Sequence, residues 1–314
     1  MWSAVASALA LLAGVFAYVF VGTRILALPP AWVAASVPLA YAVIVALFVA
    51  SYFALAWMWR APRPPQARIG PAATLQLVWH EYLAILASPL RMILFRVLVP
   101  APAPAPAALP VLLLHGVLCN AGVWANLLRL LRRRGIGPVY ALSYGPPLAS
   151  IEVFVRQVES FIARIRAETG AAQVMIVTHS MGGLVALAYL RRCGSAAVRR
   201  LVTIGAPYQG SSHARLFAGT SLTQLRPQSE WLTELDAHAP AGGPPVVSIW
   251  SWHDSMVTPQ TSSILPGATN VALTGVGHNA LLGDPGVLAR VVEEYRRATS
   301  ESPASAAQTR AAPA

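Results

Sequence analysis

Two long apolar runs open the pattern of hydrophobic and polar positions. Ala4–Thr23 carries no charged residue, and neither does Leu26–Trp59. A helix needs about 20 apolar residues to cross a bilayer, and Pro29-Pro30 separates the two runs. The pattern predicts two transmembrane helices, near 4–27 and 32–58, within a membrane anchor covering 1–60. Trp57-Met58-Trp59-Arg60 supplies an interfacial aromatic anchor followed by a positive stop. A signal peptide fits this pattern poorly, because no basic residue precedes the first run and a second run follows at once.

Residues 61–108 read as a juxtamembrane helix and strand ending in a proline-rich linker. Ala72–Ala87 is an apolar helix carrying His80 and Glu81, broken by Ser88-Pro89, and Arg91–Val99 is again mostly apolar. Two readings stand for 72–98: an interfacial helix lying on anionic headgroups, or a helix and strand packed on the domain that follows. Pro100–Pro106 alternates proline with alanine, a semi-rigid spacer.

From 109 to 298 short apolar runs alternate with amphipathic ones. Strands are predicted at Val111–Leu114, Val139–Leu142, Val174–Thr178, Leu201–Ile204, Val246–Trp252 and Val271–Thr274. Helices are predicted at Val123–Arg134, Ile151–Thr169, Gly183–Arg192 and Pro285–Arg297. This alternation implies an α/β domain, a mainly parallel sheet with helices on both faces. Residues 212–245 interrupt it with Leu216-Phe217, Leu222, Leu225, Trp231-Leu232 and Leu235 on a polar, Gly/Pro-bounded segment. They form either a lid over the crevice or a small packed helix pair. The Ala/Ser/Pro-rich tail 299–314 is expected to be disordered.

Composition sharpens the membrane reading. Of 314 residues 56% are hydrophobic and only 11% charged, against about 25% in soluble domains. The net charge of +11 comes from arginine alone, since the chain has no lysine. No basic stripe with interleaved aromatics accompanies it, so no nucleic-acid partner is expected. Arg60, Arg63 and Arg68 follow the second apolar run, whereas the loop between the runs has only Arg24. The positive-inside rule then puts both termini, and the α/β domain, in the cytoplasm. Cys119 and Cys193 make no disulfide framework, and no Cys/His spacing suits a metal.

Chemistry concentrates at Thr178-His179-Ser180-Met181-Gly182, between a predicted strand and a predicted helix. A serine at such a turn is held out on a strained backbone beside free helix N–H groups. Acyl transfer by Ser180 needs a base, an acid to orient it and oxyanion donors. His278, in Gly275-Val276-Gly277-His278 after the last strand, is the base candidate. Only Asp236, Asp254 and Asp284 exist in the chain. Asp254 closes the fifth strand, at the edge where ligands bind in parallel sheets. Asp284 precedes Pro285 and reads as a helix N-cap, and Asp236, Glu230 and Glu234 fall in the insertion. The oxyanion donors are expected to be the backbone N–H groups of Met181 and Val117. His115 reads as a loop brace and His179 as packing beside the turn. His80, His213, His238 and His253 read as structural or surface residues.

Leu113-Leu114-His115-Gly116, Thr178-His179-Ser180-Met181-Gly182-Gly183, Asp254 with Val257 and Pro259, and Gly277-His278 together resemble the α/β-hydrolase superfamily. Thr203-Ile204-Gly205-Ala206-Pro207-Tyr208-Gln209-Gly210-Ser211 is similar to the strand and turn after the nucleophile in bacterial lipases and esterases. The resemblance covers about 109–298. It implies a Ser180–His278–Asp254 triad cleaving carboxylic esters of apolar acyl or lipid substrates; together with the two apolar runs, a multi-pass protein of a bacterial inner membrane is expected. The same apparatus serves thioesterases, amidases and phospholipases, and a non-catalytic membrane scaffold is the alternative of another class. Two departures matter. Thr178 replaces the small residue usual two places before the nucleophile, so the turn must accommodate a β-branched side chain. Aspartates are also too few for the structural calcium of some relatives, so no metal and no cofactor are expected.

Overall fold

The computed structural model of the chain describes residues 2–301. The first apolar run is helix α1 (Trp2–Phe20), continued by a wider turn over Val21–Ile25, and the second is α2 (Pro30–Met58). Both are long and apolar enough to cross a membrane. They pack as a hairpin: Tyr18 Oη and Ser36 Oγ lie 2.8 Å apart, and a Cβ on Gly22 would sit 2.9 Å from the Val33 methyl carbons. Leu9, Leu12 and Phe16 of α1 and Leu39, Ile44 and Leu47 of α2 stay exposed. At the end of α2 the Arg60 guanidinium lies 3.2 Å above the Trp57 ring.

Helix α3 (Pro71–Ile93) runs through Pro89 instead of ending before it. Proline removes one ladder bond and crowds the preceding turn, and a neighbouring helix can re-satisfy freed carbonyls. The ladder bond lost at Pro89 is the one to Ile85 O, and Tyr41 Oη of α2 donates to the neighbouring Leu86 carbonyl, 2.9 Å away. The segment expected as a strand after it is a single helical turn, α4 (Phe95–Leu98). It packs against the turn Ala121–Trp124 through Phe95 and Leu98, which are half-buried, while Val97 stays exposed. One face of α3 holds Leu77, Glu81 and Met92 buried, while Leu75, Trp79, Leu83 and Leu90 are exposed.

Six parallel strands follow: β1 (Val111–Leu114), β2 (Val139–Leu142), β3 (Val174–His179), β4 (Val198–Ile204), β5 (Val246–Ser251) and β6 (Thr269–Leu273). Their order in the sheet is β2-β1-β3-β4-β5-β6. The strand pattern of the sequence is thus recovered, with β4 starting three residues earlier than expected. All six residues of β3 are buried, as a central parallel strand covered on both faces requires. One face is covered by α6 (Ile151–Thr169) and α7 (Met181–Cys193), the other by α5 (Ala125–Arg133) and α10 (Pro285–Ser300). Helix α6 buries Ile151, Phe154, Val155, Val158, Ile162 and Ile165, the 3.6-residue stripe of an amphipathic helix. Ser150 caps its start and Gly170, at φ 69°, its end. Asp284 caps α10, accepting from Gly286 N at 2.9 Å and Val287 N at 3.0 Å.

Between β4 and β5 the insertion holds a short turn and two short helices, α8 (Thr220–Gln224) and α9 (Glu230–Leu235). Leu232 and Leu235 of α9 are buried in the core, and Trp231 Nε1 donates to Glu152 Oε1 of α6. Leu216 and Phe217, at the other end of the insertion, are about half exposed. Of the tail expected to be disordered, Thr299 and Ser300 complete α10 and Glu301 bonds to Arg200. Residues 302–314 lie outside the described residues.

Candidate active site

The strand order fixes where a site can form. The chain leaves β1 toward β2, then crosses back to β3 on the other side. The loops after β1 and β3 therefore diverge and open a crevice at their C-terminal ends, the usual ligand position in such sheets. Gly116 ends one lip and Ser180 the other. They approach so closely that a Cβ on Gly116 would lie 2.9 Å from Ser180 Cβ.

Ser180 sits between β3 and α7 with φ 55° and ψ −129°. A non-glycine residue there is strained, and the surroundings hold it. Ser180 N donates to Ile204 O of β4 at 2.8 Å, and Gly183 N donates to Ser180 O at 2.9 Å. The following helix must press onto the sheet for the turn to close. A Cβ on Gly182 would meet Leu114 O at 2.6 Å, and one on Gly183 would meet Ala206 Cβ at 2.4 Å. Thr178, the departure from the usual small residue, is fully buried, and a Cβ on Gly183 would stand 3.4 Å from its Oγ1, an ordinary contact.

Asp254 follows β5. Its Oδ1 accepts from Met256 N at 2.8 Å and Val257 N at 2.7 Å, which fixes the carboxylate plane. Its Oδ2 lies 2.8 Å from His278 Nδ1. Both residues are buried. Gly205, at φ 59°, ends β4 behind the pair, where a Cβ would crowd Asp254 Oδ2 and His278 Nδ1 at 3.3 Å each. Burial pushes the His278 imidazole down, but the Asp254 charge, its hydrogen bond and the Glu81 charge more than offset this, so its pKa is raised. Ser180, His278 and Val117 line one cavity, together with Tyr52, Phe217, Leu222, Leu225, Met256 and Val257. Among the described residues no hydrogen bond yet joins Ser180 Oγ to the imidazole, and such links are often loose before substrate binds. Met181 directly follows Ser180 as the first residue of α7, and Val117 directly follows Gly116.

His179 and His115 serve as braces. His179 Nε2 is 3.1 Å from the His278 carbonyl, so that nitrogen carries the proton and donates. His115 Nδ1 likewise faces Gly116 O at 2.8 Å. Its ring stacks on Tyr144, whose hydroxyl donates to the His115 carbonyl. Burial holds His115 down to about 4 and His179 well below the usual imidazole range, so both stay neutral near pH 7. Cys119 lines the same cavity, but desolvation raises its thiol to about 12, which removes it as a thiolate nucleophile. Asp236 is exposed beside His238. Among the described residues no three His, Cys, Asp or Glu side chains converge as a metal site would.

Two features were not assigned from the sequence. Tyr52 reaches the cavity from α2 and stacks on His213 of the insertion, with centroids 5.1 Å apart and planes 3° from parallel. Glu81 of α3 is fully buried against the loop that carries His278. Its one advance signal was its position as the single acid among five arginines between 60 and 100.

Comparison with known proteins agrees with this architecture. A model of the α/β hydrolase family matches residues 111–259. The mature form of the Bacillus licheniformis lipase BlEst2 superposes with a TM-score of 0.53 at 17% identity, covering 62% of this chain and 95% of that one. Aspergillus fumigatus lipase B superposes with a TM-score of 0.54 at 22% identity, covering 64% of this chain and 56% of its own. The match to the fungal enzyme thus spans little more than half its length. With its parallel sheet and its serine at a strained strand–helix turn, the chain has the α/β-hydrolase fold, and residues 111–259 are similar to the α/β hydrolase family.

Proposed function

We propose that the protein is a membrane-anchored serine hydrolase cleaving carboxylic esters with apolar acyl groups. The observation that carries this reading is the buried Asp254–His278 pair, 2.8 Å apart, whose imidazole lines one cavity with Ser180 at its strained turn. In the proposed sequence, rotation about the Ser180 Cα–Cβ bond brings Oγ to His278 Nε2. Oγ attacks the ester carbonyl while Nε2 takes its proton, and the oxyanion is held by the N–H groups of Met181 and Val117. Collapse passes the proton from Nε2 to the departing alcohol and leaves an acyl-Ser180. Water repeats the steps in reverse order. Asp254 holds the imidazole with Nε2 facing Ser180 and stabilises the transient imidazolium.

The apolar wall of Tyr52, Phe217, Leu222, Leu225 and Val257 favours an acyl chain over a polar group. Tyr52 belongs to α2, so an apolar helix of spanning length forms part of the substrate cavity. This supports a lipid-derived ester as the substrate and the bilayer as the protein's setting. Arg60, Arg63 and Arg68 favour a cytoplasmic catalytic domain. A panel of ester, thioester and amide substrates of graded chain length, assayed with the detergent-solubilised protein, tests the reading. Esters of medium or long chain are expected to turn over fastest, and Ser180→Ala to remove that turnover. Equal turnover by Ser180→Ala would refute it.

A further inference from the structure

We propose that Glu81 is a positioning residue for the base His278, through which the helix following the membrane anchor holds the catalytic pair in register. The proposal rests on the Ser180–His278–Asp254 reading. Glu81 is fully buried, and every hydrogen bond it makes is one it accepts. Oε1 receives Ser255 Oγ at 2.8 Å, Asn279 Nδ2 at 2.9 Å and Asn279 N at 3.1 Å. Oε2 receives Asn279 N at 3.0 Å and Ala280 N at 2.9 Å. Ser255 directly follows Asp254, and Asn279 directly follows His278. One carboxylate therefore ties down the chain immediately after both members of the pair.

Five donor contacts suit a carboxylate, which accepts all of them as they stand. Glutamine could keep the backbone N–H bonds with its oxygen at the Oε2 position, but its NH2 would then require the Ser255 hydroxyl to turn and the Asn279 amide to flip into acceptors, and the charge would be lost. The loop has no slack to adjust, since a Cβ on Gly277 would lie 2.5 Å from Glu81 Oε2. Helix α3 is itself anchored to the domain. Asn120 Nδ2 donates to Met92 O at 2.9 Å, and the turn at Gly122 presses so close to Arg91 O that any Cβ would overlap it. The Glu81 charge also adds to that of Asp254 in favouring the protonated imidazole, the form His278 takes in the transition state.

The test compares wild type, Glu81→Gln and Ser180→Ala of the full chain in detergent on a soluble p-nitrophenyl ester. Active sites are counted by fluorophosphonate titration, so that kcat refers to competent molecules. Glu81→Gln is expected to lose about 10²-fold in kcat per titrated site, with KM nearly unchanged. The acidic limb of its kcat/KM profile should move to lower pH. An unshifted limb with wild-type kcat per titrated site would overturn the proposal, because a purely structural role would only lower the number of competent sites. If Glu81→Gln shows no cooperative melting, Ser255→Ala and Asn279→Ala, which each remove one donor and keep the carboxylate, replace it. A kcat per site lowered several-fold in both supports the proposal, and wild-type kcat in both overturns it. Turnover surviving in Ser180→Ala would instead remove the serine reading itself, whatever Glu81 does.

Discussion

Asp254→Asn probes the hydrogen bonds of the pair one atom at a time. Asp254 Oδ1 accepts from two backbone N–H groups, Met256 and Val257. An asparagine cannot place its NH2 there without setting a donor against two donors, so its oxygen must keep that position. The NH2 must then occupy the Oδ2 position, 2.8 Å from His278 Nδ1. Facing a donor, Nδ1 becomes the acceptor and the ring proton moves to Nε2, where it blocks uptake of the Ser180 proton. The fold should survive, because the side-chain volume is conserved and the Oδ1 bonds remain. The expected loss is about 10⁴-fold in kcat, equivalent to about 5.4 kcal/mol at 1.36 kcal/mol per decade. Steady-state kinetics on a soluble short-chain ester, with a melting curve to verify folding, measures it. A folded Asp254→Asn protein within tenfold of wild type would refute the reasoning. So would a crippling loss in Asp236→Asn or Glu234→Gln.

The raised pKa of His278 predicts that kcat/KM falls as pH drops through a value above the ordinary imidazole range of about 6.5, because the proton must be off Nε2 for the base to act; a limb below 6.5 would contradict the pair's electrostatics. Glu294→Ala leaves Arg200, whose side chain is 6% exposed, with only the partly exposed Glu301 as partner. The expected loss is about 3 kcal/mol, near the lower end for breaking a buried pair, which lowers the melting temperature on the order of 10 °C while kcat per titrated site holds. The two apolar helices predict that the full chain stays in the membrane pellet through alkaline carbonate extraction, and its release into the supernatant would contradict spanning.

What was legible in the sequence was what is local. The strand–turn–helix around Ser180 announces itself because the strand, the turn and the glycines at 182 and 183 are consecutive. Asp254 and His278 stand out as candidates because each lies in the loop that follows a strand, and strand ends in a parallel sheet converge on one edge. Glu81 was visible as an odd acid but had no assigned role, because its partners lie 174 to 199 residues away and no periodicity encodes that distance. The same holds for Arg200, which no local pattern singles out, yet which pairs with Glu294 at 2.5 Å inside the fold. Pro89 misled in the other direction. It is a helix breaker by local rules, and the helix passes through it beside Tyr41 of a neighbouring helix, a tertiary contact that propensity does not contain.

The central claim is that Ser180 is the nucleophile and His278 its base. A fluorophosphonate reacts only with a serine whose hydroxyl is activated, so the most direct measurement is peptide mapping by mass spectrometry after labelling of the full-length protein. The account predicts a single adduct on Ser180 that forms quickly in wild type and at least a hundredfold more slowly in His278→Ala, on the order of the contribution of a general base. An adduct on another residue, or a folded wild-type protein that takes up no label, would contradict it.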